Sequence, residues 1–277
     1  MLEKISNRVY YMMNQDETDR PVLGVVIGNN SCLVIDAGNS PRHAREFQAE
    51  LEAMGLPPIK YIALTHYHWD HSLGLSEWDA VSIANHTTVK SMDQYRQINY
   101  DDDSLVLALE KGILNEYAVK CIKSEIEDRD KLKIRNIDVS YTDGLKIDLG
   151  EVTCEIRHII SPHTEDSTII YIPEEKTLFL GDCIYGCTKN GKNYFDKDKL
   201  FPMIDMIEQY QADYYLCAHE SMCTKEEMVS YFQQLRTAYD IASKCKDLNE
   251  AAIEYKNCYN QELTGDMLFY MKSFGLD

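Results

Sequence analysis

A chain of 277 residues with a formal net charge of −18 is long enough for one large α/β domain or two small ones, and so acidic a surface repels nucleic-acid phosphates and anionic lipid. The composition is ordinary for a globular protein, no apolar run approaches the roughly 20 residues of a membrane span, and residues 1–7 lack the charged and apolar regions of a signal peptide. The nine cysteines are scattered and form no C-x-x-C pair, so neither a zinc ribbon nor a thioredoxin-type site is indicated. Free thiols in a reducing cytoplasm are expected.

Residues 9–13 read as a first strand. Two β-branched runs, 22–27 and 32–35, flank Gly28-Asn29-Asn30-Ser31 and predict a hairpin whose second strand ends in Asp36-Ala37-Gly38-Asn39. Ser40 then caps a helix with Pro41 at its first position; Ala44, Phe47, Leu51 and Met54 recur at helical spacing and Gly55 closes it. A strand over 59–64 completes a βαβ unit and runs into Thr65-His66-Tyr67-His68-Trp69-Asp70-His71. Three of the chain's eight histidines fall within six consecutive positions there, beside a carboxylate. Imidazole and carboxylate at that density suit a divalent metal such as Zn, Fe or Mn, delivered from a strand end onto a loop.

A short strand over 81–84 ends near His86. Residues 89–135 read mostly as helix, with Asp101-Asp102-Asp103-Ser104 as a helix start, and are too long for a plain connection, so a helical insert is expected. Strand signals return over 137–141, 145–149 and 152–160, then over 168–172 and 177–180, the last ending at Gly181-Asp182-Cys183. Residues 188–199 read as a loop carrying Lys189, Lys192, Lys197 and Lys199, able to offer positive charge to an anionic substrate group or simply to face solvent. Residues 213–217 form the last strand, ending at Ala218-His219. From 224 to 277 the chain reads as a helical extension in two segments broken near Asp247-Leu248-Asn249.

One event recurs along the chain: a strand whose C-terminal end carries a metal-competent side chain, at Asp36, His66 to His71, His163, Asp182 and His219. Singly, a histidine after a strand is usually a packing residue and an aspartate after a glycine a turn former. Together they converge on one sheet edge.

The box His66-x-His68-x-Asp70-His71, followed by His163, Asp182 and His219, resembles the metallo-β-lactamase superfamily. Ser161-Pro162-His163-Thr164 with Ser167, and Phe179-Leu180-Gly181-Asp182, resemble that family's second and third metal motifs. The resemblance runs from about Val9 to His219, outside the insert. It implies a single αββα sandwich of two mixed sheets flanked by helices, with two divalent metals, zinc before iron or manganese, at one edge. It further implies that His66, His68 and His163 hold one metal, Asp70, His71 and His219 the other, and Asp182 both, with Asp36 hydrogen-bonded behind a ligand or its loop. His43, His86 and His158 match no motif position. Two metals sharing a hydroxide would hydrolyse a small-molecule ester, lactone or thioester, with Asp70 and Tyr185 in the reacting machinery. Tyr185 stands at the offset from Asp182 used for carbonyl binding in the acyl-homoserine lactonase branch. Trp69 and Trp78 are expected either to wall the pocket or to pack the core. The Gly-x-Gly-Arg segment of glyoxalase II and persulfide dioxygenase relatives is absent from residues 181–192, and His68 stands where a flavodiiron site usually has glutamate. A phosphodiesterase, an iron-dependent oxidoreductase and a non-catalytic metal-binding protein are the alternatives. The insert and the tail would roof the site or form a homodimer interface.

Overall fold

A computed structural model describes residues 2–189 and 191–276. Seven strands form one mixed sheet in chain order: β1 (Leu2–Lys4), β2 (Val9–Met12), β3 (Leu23–Ile27), β4 (Cys32–Ile35), β5 (Ile59–Ala63), β6 (Val81–Asn85) and β7 (Val139–Tyr141). Pairing is antiparallel up to β4 and parallel from β4 to β7, because helical crossovers replace hairpins there. The second sheet uses β8 (Gly144–Asp148), β9 (Thr153–His158), β10 (Thr168–Ile172) and β11 (Thr177–Gly181). After the separate hairpin β12 (Cys187–Lys189) and β13 (Lys192–Tyr194), β14 (Tyr214–Cys217) adds in parallel to β11, and β15 (Cys223–Thr224) closes that edge.

Strict alternation explains how two sheets stack. In β4, Leu33 and Ile35 face the inter-sheet core while Cys32 and Val34 face the helical layer behind. In β10, Ile170 and Ile172 face inward while Ile169 and Tyr171 face outward. Central strands buried on both sides read as continuous apolar runs. Helix α1 (Pro41–Glu52) covers the first sheet through Ala44, Phe47 and Leu51; its N-cap Ser40 accepts from the His43 N–H.

The one-turn α2 (Trp69–Ser72) follows β5, and α3 (His86–Ser91) starts at the residue after β6 ends. Residues 89–135 contain α4 (Asp93–Arg96), α5 (Asp102–Glu110) and α6 (Glu116–Glu125), which bury a cluster of their own around Tyr100, Leu105 and Ile122 together with Trp69 and Leu73. Asp101 is the N-cap of α5 and accepts from the Ser104 N–H.

Two expectations need correction. Residues 188–199 are not a plain loop: they hold most of the β12–β13 hairpin and the start of α7 (Lys197–Ile207), which packs on the second sheet. The tail carries three helices where two were expected, α8 (Lys225–Ala242), α9 (Leu248–Tyr259) and α10 (Gly265–Ser273), because Asn260 ends α9 in the left-handed conformation and Thr264 caps a new start. No described helix is long and apolar enough to cross a membrane.

The insert is tied to the sandwich by charge. Glu125, at the end of α6 and buried, accepts from Arg20 Nη2 at 2.7 Å, Ser40 Oγ at 2.9 Å and Arg42 Nη2 at 2.9 Å. Burial alone would raise its pKa; the hydrogen bonds from Arg20, Thr18 and Ser40 outweigh it and hold the carboxyl at about 2, against an ordinary 4.5. A depressed carboxyl stabilises the fold above its unfolded pKa and loses that contribution as pH falls through its folded one. Glu125→Gln is therefore expected to lower unfolding free energy by about 3 kcal/mol near neutral pH. In denaturant titrations of metal-free protein the gap between variant and parent should close between pH 4.5 and pH 2.

Candidate metal centre

The centre is built outward from Asp36. Directly after β4 this residue takes φ 62°, a left-handed conformation that aspartate tolerates better than most side chains. The turn aims its carboxylate at the end of β5. There the Thr65 N–H donates at 2.7 Å and the Thr65 hydroxyl at 2.8 Å, and His71 Nδ1 lies at 2.8 Å. The contact assigns the proton to His71 Nδ1 and turns Nε2 toward the other side chains of the site. The loop's other face is held by Asp166, whose Oδ2 accepts from the Tyr67 N–H at 2.9 Å and the Thr88 hydroxyl at 2.8 Å. Helix α2 then places Asp70 and His71 side by side, both buried.

The second sheet supplies the remaining groups. His163 sits in the loop after β9, with Nδ1 3.2 Å from the Gly186 carbonyl. Asp182 follows Gly181, whose φ of 53° favours glycine and where a Cβ would lie 2.7 Å from Thr65. His219 follows β14; its N–H donates to the Tyr185 hydroxyl at 3.3 Å and its carbonyl accepts from Asn14 Nδ2 at 3.0 Å.

These side chains gather into two sets, His66, His68, His163 with Asp182, and Asp70, His71, His219 with Asp182, each with its donor atoms within 4.8 Å of one another. In the first, His163 Nε2 lies 3.0 Å from His68 Nδ1 and 3.3 Å from Asp182 Oδ2. In the second, Asp70 Oδ2 lies 3.1 Å from His71 Nε2 and 3.2 Å from His219 Nε2. His66 Nε2, His71 Nε2 and Asp182 Oδ1 are buried without a hydrogen-bond partner. Orphaned polar atoms of that kind, all facing one another, fit divalent cations.

The electrostatics point the same way. Burial and neighbouring imidazoles push His66 well below its ordinary pKa and His68 to about 3, leaving neutral rings with lone pairs to offer. Burial would lower His71 and His219 too, but the Asp70 and Asp182 carboxylates outweigh it and raise both. Burial would likewise raise Asp70 and Asp182, but the imidazoles beside them hold both carboxyls well below the usual range. The second set thus draws in positive charge.

Both sets open on a cavity of about 590 Å³, whose lining includes Asp19, Tyr67, Trp69, Tyr95, Ile113, Leu114, Tyr117, Tyr185 and Thr188. Tyr185 lies against His219, and burial raises its hydroxyl well above 10. Sequence reasoning passed over Asp19. It lies in the connection between β2 and β3, takes φ 58°, and brings Oδ1 to 3.7 Å from His219 Nδ1. Burial and repulsion by Asp70 raise it to about 6. No local pattern marks it; the connection reaches the site because the Val22 N–H donates to the Ala218 carbonyl and Arg20 to Glu125. Asp166 stands between Thr164 and Ser167 of the second motif, where nothing in the sequence marks it as a brace for the loop.

Other candidates sit elsewhere. Trp69 lines the cavity, whereas Trp78 packs in the core and donates Nε1–H to the Ala37 carbonyl. His158 Nε2 pairs with the Glu165 carbonyl, His86 contacts Lys90, and buried His43 accepts from Asn39. Of the lysines considered for an anionic substrate, Lys197 pairs with Asp198 and Lys199 with Glu165, and neither lines the cavity; Lys192 does not line it, and the Lys189 side chain lies outside the described residues.

Two stacked mixed sheets with paired His and Asp sets at one edge define a metal-binding protein of the αββα type. The chain belongs to the metallo-beta-lactamase superfamily, whose sequence model matches residues 18–219. It is 24% identical over 181 residues to acyl-coenzyme A thioesterase MBLAC2 of Bos taurus, a match covering 60% of this chain and 59% of that relative's length. Among solved structures, a metallo-beta-lactamase from Pontibacter korlensis superposes with a TM-score of 0.55 at 18% identity, covering 84% of this chain and 97% of the other. A double mutant of the sec-alkyl sulfatase PisA1 superposes with a TM-score of 0.64 at 14% identity, covering 96% of this chain and 46% of that one. At those identities the likeness is one of fold.

Asp36→Asn removes the acceptor that orients His71. Competition with a chromophoric chelator should show metal affinity at the Asp70, His71 and His219 set falling by about 10–100-fold, and denaturant titration of metal-free protein should show about 1–3 kcal/mol lost, because the amide NH2 meets a donor where the carboxylate accepted.

Proposed function

We propose that the protein is a dinuclear metal-dependent hydrolase acting on a small-molecule ester, lactone or thioester. The observation that carries this reading is the pair of donor sets sharing Asp182 at the floor of one cavity. A structural metal needs a single closed set of four, whereas these sets open on space for a substrate. In this reading His66, His68 and His163 hold one ion, Asp70, His71 and His219 the other, and Asp182 both. The ions, zinc before iron or manganese, would supply Lewis acidity and a water ionised near neutral pH.

The chain's own residues do the rest. Asp36 and Asp166 fix the loop that presents four of the donors. Tyr185 accepts from the His219 N–H and keeps its O–H proton to donate to a carbonyl oxygen in the cavity. The apolar side of the cavity excludes water from the bound acyl group. Membership of a superfamily composed mostly of hydrolases and the thioesterase relative support hydrolysis ahead of oxidation. The nine free thiols support a reducing compartment, the cytoplasm, as its place of work.

Purified protein should carry close to two equivalents of divalent metal and hydrolyse members of a generic ester, lactone and thioester panel. Asp182→Ala should abolish that activity and lower metal content. Iron with thiol-dependent oxygen uptake would overturn the reading, as would full metal content without hydrolysis of any panel member. Tyr185→Phe should reduce kcat by about 10–100-fold at unchanged metal content; unaltered kinetics would remove Tyr185 from the mechanism.

A further inference from the structure

The floor of the cavity is polar, and one stretch of its side wall is apolar. Tyr67, Trp69, Tyr95, Ile113 and Leu114 meet there, and all five belong to the apolar cluster that the insert buries. Tyr67 stacks on Tyr95 with ring centroids 5.7 Å apart and stands edge-on to His68 at 4.6 Å, so the aromatic wall begins where the donor set ends. The turn carrying Ile113 and Leu114 is fixed, because both N–H groups donate to the Ala108 carbonyl. Outside the two donor sets, Asp19 is the charged side chain among the described lining residues, and no lysine or arginine is among them.

We infer that the site takes thioesters and esters whose acyl group is apolar and uncharged, seated against this wall, and that Asp19 turns away acyl groups bearing a carboxylate or phosphate. The inference rests on the hydrolase reading above. A methylene placed in an apolar pocket changes kcat/KM by about 10–200-fold, so a wall of this composition rewards chain length. An anionic acyl group placed against it would leave water, meet no cation on the wall and face the Asp19 carboxylate. Ile113 and Asp19 are thereby specificity-determining residues, one for chain length and one for charge.

The test uses metal-loaded protein and N-acetylcysteamine thioesters of acetate, butyrate, octanoate and succinate. Octanoyl should exceed acetyl, and butyryl should exceed succinyl, by at least about tenfold in kcat/KM. Ile113→Asn should bring the octanoyl-to-acetyl ratio toward one. Asp19→Asn, which keeps a side chain that tolerates φ 58°, should narrow the butyryl-to-succinyl ratio. Hydrolysis with a flat chain-length profile, or with succinyl equal to butyryl, overturns the inference and leaves the hydrolase reading standing. Hydrolysis of none of the four, with metal bound, overturns the inference, and the hydrolase reading falls with it when the ester and lactone panel is untouched as well. The series on the unaltered protein decides the matter even where a variant fails to fold.

Discussion

A buried carboxylate must have its acceptor capacity filled, and in this protein that requirement falls on Asp36. Its oxygens are met by the Thr65 N–H, the Thr65 hydroxyl and His71 Nδ1, which together hold the loop after β5 in place. Thr65 in turn is where the two sheets meet: its carbonyl accepts from the Thr168 N–H at 2.7 Å, and Gly181 packs on its side chain. The position of Asp182 is thus measured from the same residue that Asp36 holds, which is how groups from opposite sheets share one centre.

Around that point the fold concentrates charge in a place where charge is costly. Asp36, Asp70 and Asp182 are buried together with His66 and His71. Carboxylates and imidazoles withdrawn from water are tolerable only when each is paired or bound to a cation. Asp36 is fully paired by its neighbours, but one Asp182 oxygen and the Nε2 atoms of His66 and His71 are not. The inter-sheet core and the covering helices hold this composition in place, with its unmet bonding capacity turned inward on the two donor sets.

Much of this was legible in the sequence. Four of the donors stand within six positions, and Asp182 and His219 each follow an apolar run that could only be a strand. Short spacing and strand ends are local signals, so they survive without a structure. Asp19 was not legible, because its place depends on a left-handed turn and on a connection held by Ala218 and Glu125, far away in the chain. The β12–β13 hairpin was obscured by its lysines and asparagines and the start of α7 by alternating aspartate and lysine, which read as solvent-facing loop although Phe195 and Leu200 there are buried. The β1 strand is three residues long with two of them exposed, too little pattern to detect. The third tail helix hinged on Asn260, where a conformation and not a composition ends α9.

The Arg20–Glu125–Arg42 cluster has a bearing on how such a fold can change. Arg20 is in the connection that carries Asp19, Glu125 closes α6, and Ser40 and Arg42 open α1. A wall whose insert residues Ile113 and Leu114 lead directly into α6 is therefore not a cassette that can be exchanged on its own. Replacing the segment with one of different shape, but without an acid at its end, would leave the buried Arg20 guanidinium to Glu46 and loosen the connection that also holds Ala218, the residue after β14. Diversification of the wall is constrained to travel with the connection and the helix start, so lineages of this architecture should vary the rim residues of the insert freely while keeping its last turn.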